Sequence, residues 1–147
     1  MIPERIILHH SLTKDSGTVS WGAIRRYHTQ TNHWKDIGYH FGVELIGDDY
    51  EVLVGRMMTA QGAHTSGENH DSLGICFVGN FDIVTVPEKQ WSLGIKLVTS
   101  LVDVFDIHSG DIRGHRDFCH KTCPGNFFDV EKFVDEVFGT GRQAGDQ

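Results

Sequence analysis

The sequence has no apolar run of the roughly 18 to 20 residues that a membrane span requires. Its first residues, MIPERIILHHS, place Glu4 and two histidines where a signal peptide would have an apolar core. Basic residues are also few, since 13 Lys and Arg stand against 20 Asp and Glu, giving a net charge of −7 with no basic run. We therefore expect no membrane insertion, no signal peptide and no nucleic-acid partner.

Cysteine is scarce as well. The chain contains only Cys76, Cys119 and Cys123, an odd number that cannot all pair. This count argues against a small disulfide-stabilised scaffold and directs attention to thiol chemistry or metal binding. Histidine, by contrast, is abundant, with 10 residues in a chain of 147. Because several of them flank apolar runs or glycines, this excess is the first indication of a functional site.

Length and composition predict one globular domain, because 147 residues with 39% hydrophobic and 22% charged side chains can bury a single core. Apolar and β-branched runs predict strands at 5–10, 39–46, 50–54 and 73–78. Apolar stripes at helical spacing predict helices at 20–30, 86–106 and 130–138. We expect an α/β fold with a central mixed sheet of about five or six strands flanked by helices. The domain should cover 1–138, and 139–147 should form a flexible tail.

Short signals refine this outline. Ser20 is a candidate N-cap for the first helix, and Thr85 and Glu88 have the spacing of a capping box before the second. Trp34 lies in a polar stretch just before a predicted strand, where it could flank a cleft. Cys76 lies inside the apolar run LGICFV and is expected to be an inert core thiol.

Potential zinc ligands gather in two places. His9 and His10 end the first predicted strand, and because residues alternate faces along a strand, only one of them can point into a given site. The segment GHRDFCHKTCPG holds four more candidates: His115, Cys119, His120 and Cys123. A catalytic zinc usually takes three protein ligands and leaves a fourth position for water, so several sets are possible. The two cysteines also fit half of a structural zinc site or a disulfide, and the residues alone do not choose.

Five fragments in order resemble the type 2 N-acetylmuramoyl-L-alanine amidases, the superfamily that includes peptidoglycan recognition proteins. The similarity is greatest to the short amidase lysozymes, or endolysins, of T-odd bacteriophages, and it extends over nearly the whole chain. The fragments are ILHHS from Ile7, IGYHF from Ile37, GAH from Gly62, NHDSLGIC from Asn69, and the stretch from His115 to Pro124. Each fragment is short, and their common order makes the resemblance specific.

The resemblance implies a set of site residues. It makes His9, His115 and Cys123 the ligands of one Zn²⁺ per chain, in a surface cleft at the sheet edge. It places Tyr39 and Lys121 at the two positions that assist catalysis in the phage enzymes. It also matches His64 to a cleft histidine that contacts substrate. The neighbouring His40 should face away from Tyr39 and make a structural hydrogen bond, whereas His10 and Cys119 have no role in the family.

The implied function is zinc-dependent hydrolysis of the amide between N-acetylmuramic acid and L-alanine in peptidoglycan. An endolysin without a signal peptide would wait in the cytoplasm of the host bacterium, reach the wall with outside help and cause lysis. The alternative is a peptidoglycan-binding or regulatory protein with a vestigial amidase cleft. One phage relative binds and inhibits an RNA polymerase, and the motifs do not locate such a surface here. We expect the protein to be a monomer.

Overall fold

The fold is built on one mixed sheet. A computed structural model describes residues 1–13 and 20–139 of the chain. Its five strands are β1 (Arg5–His10), β2 (Phe41–Ile46), β3 (Asp49–Val54), β4 (Ser72–Phe77) and β5 (Ile112–Gly114). They lie in the order β3-β2-β4-β1-β5. Strand β3 pairs antiparallel with β2 in a hairpin, and every other pairing is parallel. The predicted α/β class with a mixed sheet is therefore confirmed.

Three helices cover the sheet: α1 (Trp21–Arg26), α2 (Glu88–Phe105) and α3 (Val130–Gly139). Ser20 caps α1 as predicted, since its hydroxyl accepts a hydrogen bond from the Ala23 N–H at 3.2 Å. Beyond Arg26 the first predicted helix continues as a π-helical turn over Tyr27–Thr31. The predicted tail lies outside the described residues except for Gly139, which ends α3. None of the helices in 1–13 and 20–139 is long and apolar enough to span a membrane.

The predicted capping box before α2 is wrong. The helix begins at Glu88, and its N-cap is Pro87, which makes no side-chain capping bond. Pro87 occupies the N-cap position directly before Glu88, so Thr85 lies two residues too far upstream to cap the helix. Strand β5 was absent from the four predicted strands because three residues are too short for a hydrophobic pattern to be recognised.

The two faces of the sheet carry cores of different size. Helices α2 and α3 cover one face, where the fully buried Phe77, Phe128 and Phe133 join alternate residues of β1 and β4. The other face carries a smaller cluster around Trp21, which includes Cys76 as the predicted core thiol. Because strand residues alternate, Leu8 belongs to the large core whereas His9 faces the Trp21 side, beside Cys76 in the paired strand.

The parallel direction of the central strands positions the functional residues. Strand β1 ends with His9 and His10, and β5 is followed at once by His115. Carboxyl ends of parallel strands lie at the same sheet edge, and β1 and β5 are neighbours, so these histidines emerge close together. The parallel pairing of β1 with β5 therefore brings these histidines together at one end of the sheet.

Gly94 in α2 gives a test of this packing. A Cβ at Gly94 would lie 2.4 Å from carbons of the buried Phe77 ring. In a helix interior Gly→Ala normally stabilises by about 0.5–1 kcal/mol, but overpacking a core costs about 1–3 kcal/mol. We expect Gly94→Ala to lower the free energy of unfolding, measured by urea denaturation. The matched control is Gly22→Ala in α1, where the nearest atoms would be 3.6 Å away. It should be neutral or slightly stabilising, and equal stability of Gly94→Ala and the parent would contradict the packing argument.

Candidate metal centre

Three donor side chains converge at the sheet edge. Ligand atoms of His9, His115 and Cys123 all lie within 4.8 Å of one another. The Cys123 Sγ is 3.7 Å from His9 Nδ1, and the two imidazole centroids are 4.6 Å apart. Among the described residues no fourth donor belongs to this group. His10 faces away and its Nδ1 accepts the Phe81 N–H at 3.2 Å, which confirms that only one of the two adjacent histidines joins the group.

The loop that carries Cys123 is held in place by backbone and side-chain bonds. The Arg116 N–H donates to the Cys123 carbonyl at 2.6 Å. On the other side, the Asp82 carboxylate accepts the Thr122 hydroxyl and the Asn126 N–H, each at 2.9 Å. These bonds fix the loop at both sides of the thiol, so the thiol position does not depend on a metal alone.

Burial keeps the donors uncharged. It lowers the pKa of His9 well below its ordinary value, with the nearby His64 and His115 acting in the same direction. Burial also lowers the pKa of His115, and the Lys121 ammonium adds to this effect. The pKa of the Cys123 thiol is raised by burial to about 12, although the His10 carbonyl contact and Lys121 oppose the rise. A cation bound here would therefore meet neutral imidazoles and would have to displace the thiol proton.

Tyr39 lies beside the donors. Its ring centroid is 5.2 Å from that of His9, and its other side stacks with the Trp21 indole. Burial raises the pKa of Tyr39 well above its ordinary value, and the Cys76 and Cys123 thiols contribute to the rise. The phenol consequently remains neutral and can donate its hydroxyl proton in a hydrogen bond. The predicted strand start at 39 is two residues early, since β2 begins at Phe41.

The donors form one wall of an open cleft of about 560 Å³. This volume suits a small sugar or peptide group. The lining includes all six residues that the sequence predicts for the site: His9, Tyr39, His64, His115, Lys121 and Cys123. Lys121 is exposed to solvent in this cleft, and Trp34 flanks it as predicted.

Comparison with known proteins shows to which family the chain belongs. The sequence profile of the N-acetylmuramoyl-L-alanine amidases matches residues 1–126. The chain belongs to this amidase family. It is 37% identical over 137 residues to an endolysin of Enterobacteria phage T3, covering 88% of this chain and 84% of the relative. It is also 35% identical over 125 residues to peptidoglycan-recognition protein SC2 of Drosophila melanogaster, covering 81% and 66%.

Solved structures agree with the sequence relatives. The N-acetylmuramoyl-L-alanine amidase LysC of Clostridium intestinale superposes with a TM-score of 0.82 at 30% identity, covering 92% of this chain and 85% of that one. The resemblance seen in the five sequence fragments is thus confirmed. Peptidoglycan is the substrate of the amidase family, and the matched residues 1–126 include all three members of the donor cluster.

Several groups that support the amidase cleft were not found from the sequence. Asp82, which ties down the Cys123 loop, follows a strand in an ordinary NFD turn with no distinguishing motif. His28 accepts the Gly38 N–H at 2.9 Å and packs against Tyr39, but the helical spacing carried no sign of this role. His40 makes structural bonds as predicted, since its Nδ1 accepts the Gly74 N–H at 3.0 Å.

Cys119 stays outside the donor group. Its Sγ donates to the His115 carbonyl at 3.4 Å, and all three cysteines are free. The alternatives of a Cys119–Cys123 disulfide and of a zinc site built on that pair therefore lose support.

The buried histidines predict a pH dependence of the metal-free protein. Burial lowers the pKa of His9 and lowers that of His64 to about 3. In acid the unfolded chain thus binds protons that the folded chain does not, so the free energy of unfolding should fall as the pH drops below about 6.5 and continue to fall toward pH 3. Each such histidine contributes a slope of at most about 1.4 kcal/mol per pH unit. Thermal unfolding of chelator-treated protein measures this slope, which should be shallower in His9→Gln. A flat profile in the parent would contradict the assignment.

Proposed function

We propose that the chain is a zinc-dependent amidase that hydrolyses the bond between the lactyl group of N-acetylmuramic acid and L-alanine of the peptidoglycan stem. The observation that carries the proposal is the convergence of His9, His115 and Cys123 on the wall of an open cleft. The membership of the chain in the amidase family supplies the bond type.

The donor set suits zinc. Two imidazoles and one thiolate are typical ligands of Zn²⁺, and a site with three protein ligands leaves one position for water. Two neutral histidines and one thiolate would leave a net positive charge on the bound ion. A structural zinc site would need a fourth protein donor, and none of the described residues supplies it. The cluster therefore fits one catalytic zinc per chain.

The residues around the donors fit amide hydrolysis. When bound, zinc supplies Lewis-acid catalysis, because it acidifies water toward neutral pKa and polarises a carbonyl. The neutral Tyr39 hydroxyl can donate a hydrogen bond to the oxygen that gains charge as the amide is attacked. The Lys121 ammonium, exposed in the same cleft, can offset the developing negative charge. Both groups act on the tetrahedral transition state and leave the donor cluster intact.

The family relatives also include recognition proteins, which favour the alternative of a binding protein with a vestigial cleft. The retention of a buried thiol 3.7 Å from His9 argues for the enzyme.

By analogy with the phage endolysins, we propose that the enzyme acts on the wall of a bacterial host from the cytoplasm after another protein opens the membrane. Its action as a monomer and the absence of a nucleic-acid partner remain predictions, and contact with an RNA polymerase remains a hypothesis.

The decisive experiment is mass analysis of purified peptidoglycan after digestion. The expected products are stem peptides with a free L-alanine amino group and glycan strands of unchanged length. Release should stop with a zinc chelator and return when zinc is added. New reducing sugar ends would show a glycosidase instead, and binding without release would support the vestigial cleft.

Cys123 provides a test of the ligand set. Cys123→Ala should lose tight zinc binding and activity, because two histidines alone hold zinc weakly. Cys119→Ser is the matched control, since it changes a nearby thiol outside the donor group and should keep both metal and turnover. Elemental analysis of the purified variants measures the metal. A tightly bound, catalytically competent zinc in Cys123→Ala would overturn the assignment.

Tyr39 and Lys121 provide a test of the catalytic roles. Tyr39→Phe removes only the hydroxyl, and Lys121→Ala removes only an exposed cation, so folding and zinc content should remain as in the parent. Loss of one group that stabilises a developing oxyanion typically costs about 10²- to 10³-fold in turnover. The rate of peptide release from purified wall measures this loss. Parent-like rates in both variants would contradict the proposed roles.

A further inference from the structure

His64 lies behind the donor cluster, on the side of His9 that faces away from Cys123. Its Nδ1 is 3.0 Å from His9 Nε2, whereas the other ring nitrogen of His9, Nδ1, is the one near the Cys123 thiol. The Thr65 hydroxyl lies 3.3 Å from the same His9 Nε2. His9 is thus held between the donor group on one ring nitrogen and a pair of consecutive polar residues on the other.

The hydrogen bonds run in one direction, with His9 donating to His64 and His64 donating to a backbone carbonyl. His64 Nε2 is 3.4 Å from both the carbonyl and the hydroxyl oxygen of Ser72. The carbonyl can only accept, and the hydroxyl already donates its proton to the Glu68 carbonyl at 2.6 Å, so this nitrogen of His64 carries the proton. His64 Nδ1 is then an acceptor in the neutral ring, and it accepts a hydrogen bond from the His9 Nε2–H. His9 Nδ1 is left without a proton and with a free lone pair toward Cys123.

The fold fixes the position of the His64 ring by hydrogen bonds to its backbone and by a glycine beneath it. The Asn69 side-chain oxygen accepts the backbone N–H groups of both His64 and Thr65, at 2.9 and 3.0 Å. Beneath the ring is Gly74 of β4, where a Cβ would lie 2.5 Å from the His64 Cγ. The position of the ring is therefore set by backbone bonds on one side and by a missing side chain on the other.

From this geometry we infer that His64 and Thr65 are positioning residues that hold His9 in the tautomer with a bare Nδ1, and so raise the affinity of the site for zinc. This assigns His64 a contact with His9, and the substrate contact that the resemblance implies for His64 stays a prediction, since His64 also lines the cleft. The inference rests on the proposed zinc site. A metal-bound histidine commonly donates its other N–H to a carboxylate or carbonyl. Here the acceptor is the neutral imidazole of His64, which in turn donates its own N–H to the Ser72 carbonyl. No negative charge is therefore added near the metal donors.

The first test is the tautomer of His9 in metal-free protein. In ¹⁵N-labelled protein at neutral pH, long-range nitrogen–proton NMR spectra should show His9 and His64 protonated on Nε2, with both Nδ1 atoms bare. In His64→Leu the His9 ring should lose this single state and show mixed tautomers. A His9 ring protonated on Nδ1 in the parent would overturn the inference without bearing on whether the chain is an amidase.

The second test is zinc affinity, measured by competition with a chromophoric chelator. His64→Leu should weaken binding about 10- to 100-fold, the usual cost of removing a partner that orients a metal ligand. His64→Asn, whose side-chain oxygen can take the place of the Nδ1 acceptor, should recover most of the affinity. Thr65→Val should cause a smaller loss, because its hydroxyl is the more distant partner at 3.3 Å.

The matched control is His40→Leu. His40 is also a buried histidine: its Nδ1 accepts the Gly74 N–H and its Nε2 bonds the Ala60 carbonyl. Neither bond involves His9, and the His40 ring meets the ring of His64 edge-on at 5.8 Å between centroids. This variant should lower thermal stability while zinc affinity stays within about twofold of the parent, a difference below the effect expected for His64. Parent affinity in His64→Leu would overturn the inference, as would an equal loss in His40→Leu with the His9 tautomer unchanged from the parent. Failure of the parent to bind zinc at all would instead overturn the proposed function, and the inference with it.

Discussion

The parallel pairing of β1 with β5 is the constraint on which the site depends. In this register Leu8 lies opposite Gly114, so the next residues, His9 and His115, leave the same sheet edge side by side. A different register or an antiparallel pairing would separate them. The loop after His115 then needs only to fold back on the edge, where Asp82 and Arg116 hold it, to bring Cys123 into the group.

The same burial that stabilises the fold determines the electrostatics of the site. Burial raises the free energy of a charged imidazolium or thiolate, because the charged group loses its hydration. The lowered pKa values of the histidines and the raised pKa of the cysteine have this cause. A cation bound at this position would therefore bring positive charge into a cluster whose own side chains are uncharged. The tyrosine that faces the cluster stays neutral for the same reason, and this makes it a hydrogen-bond donor and not a base.

Much of this arrangement followed from the sequence. Apolar and β-branched runs located β1, β3 and β4 within about a residue, and the rule that neighbouring strand residues face opposite ways correctly separated His9 from His10. Other elements had no local signal. Strand β5 has only three residues, and Asp82 is recognisable as a support only from its bonds to Thr122 and Asn126, some 40 positions along the chain.

The sequence by itself determined the fold class, the strands with clear periodicity and, through a family resemblance, the identities of the three donors. The fold class and the strands can be predicted locally, because a buried strand or helix shows a run or a stripe of apolar residues in adjacent sequence. The donors can be predicted because they lie in short family motifs. Only the tertiary structure decided which ring nitrogen of His9 faces Cys123, where His64 lies and what holds the thiol loop. His9 and Cys123 are 114 positions apart, and no local pattern encodes a distance between them. That distance is set by strand register and loop closure, which exist only in the folded chain.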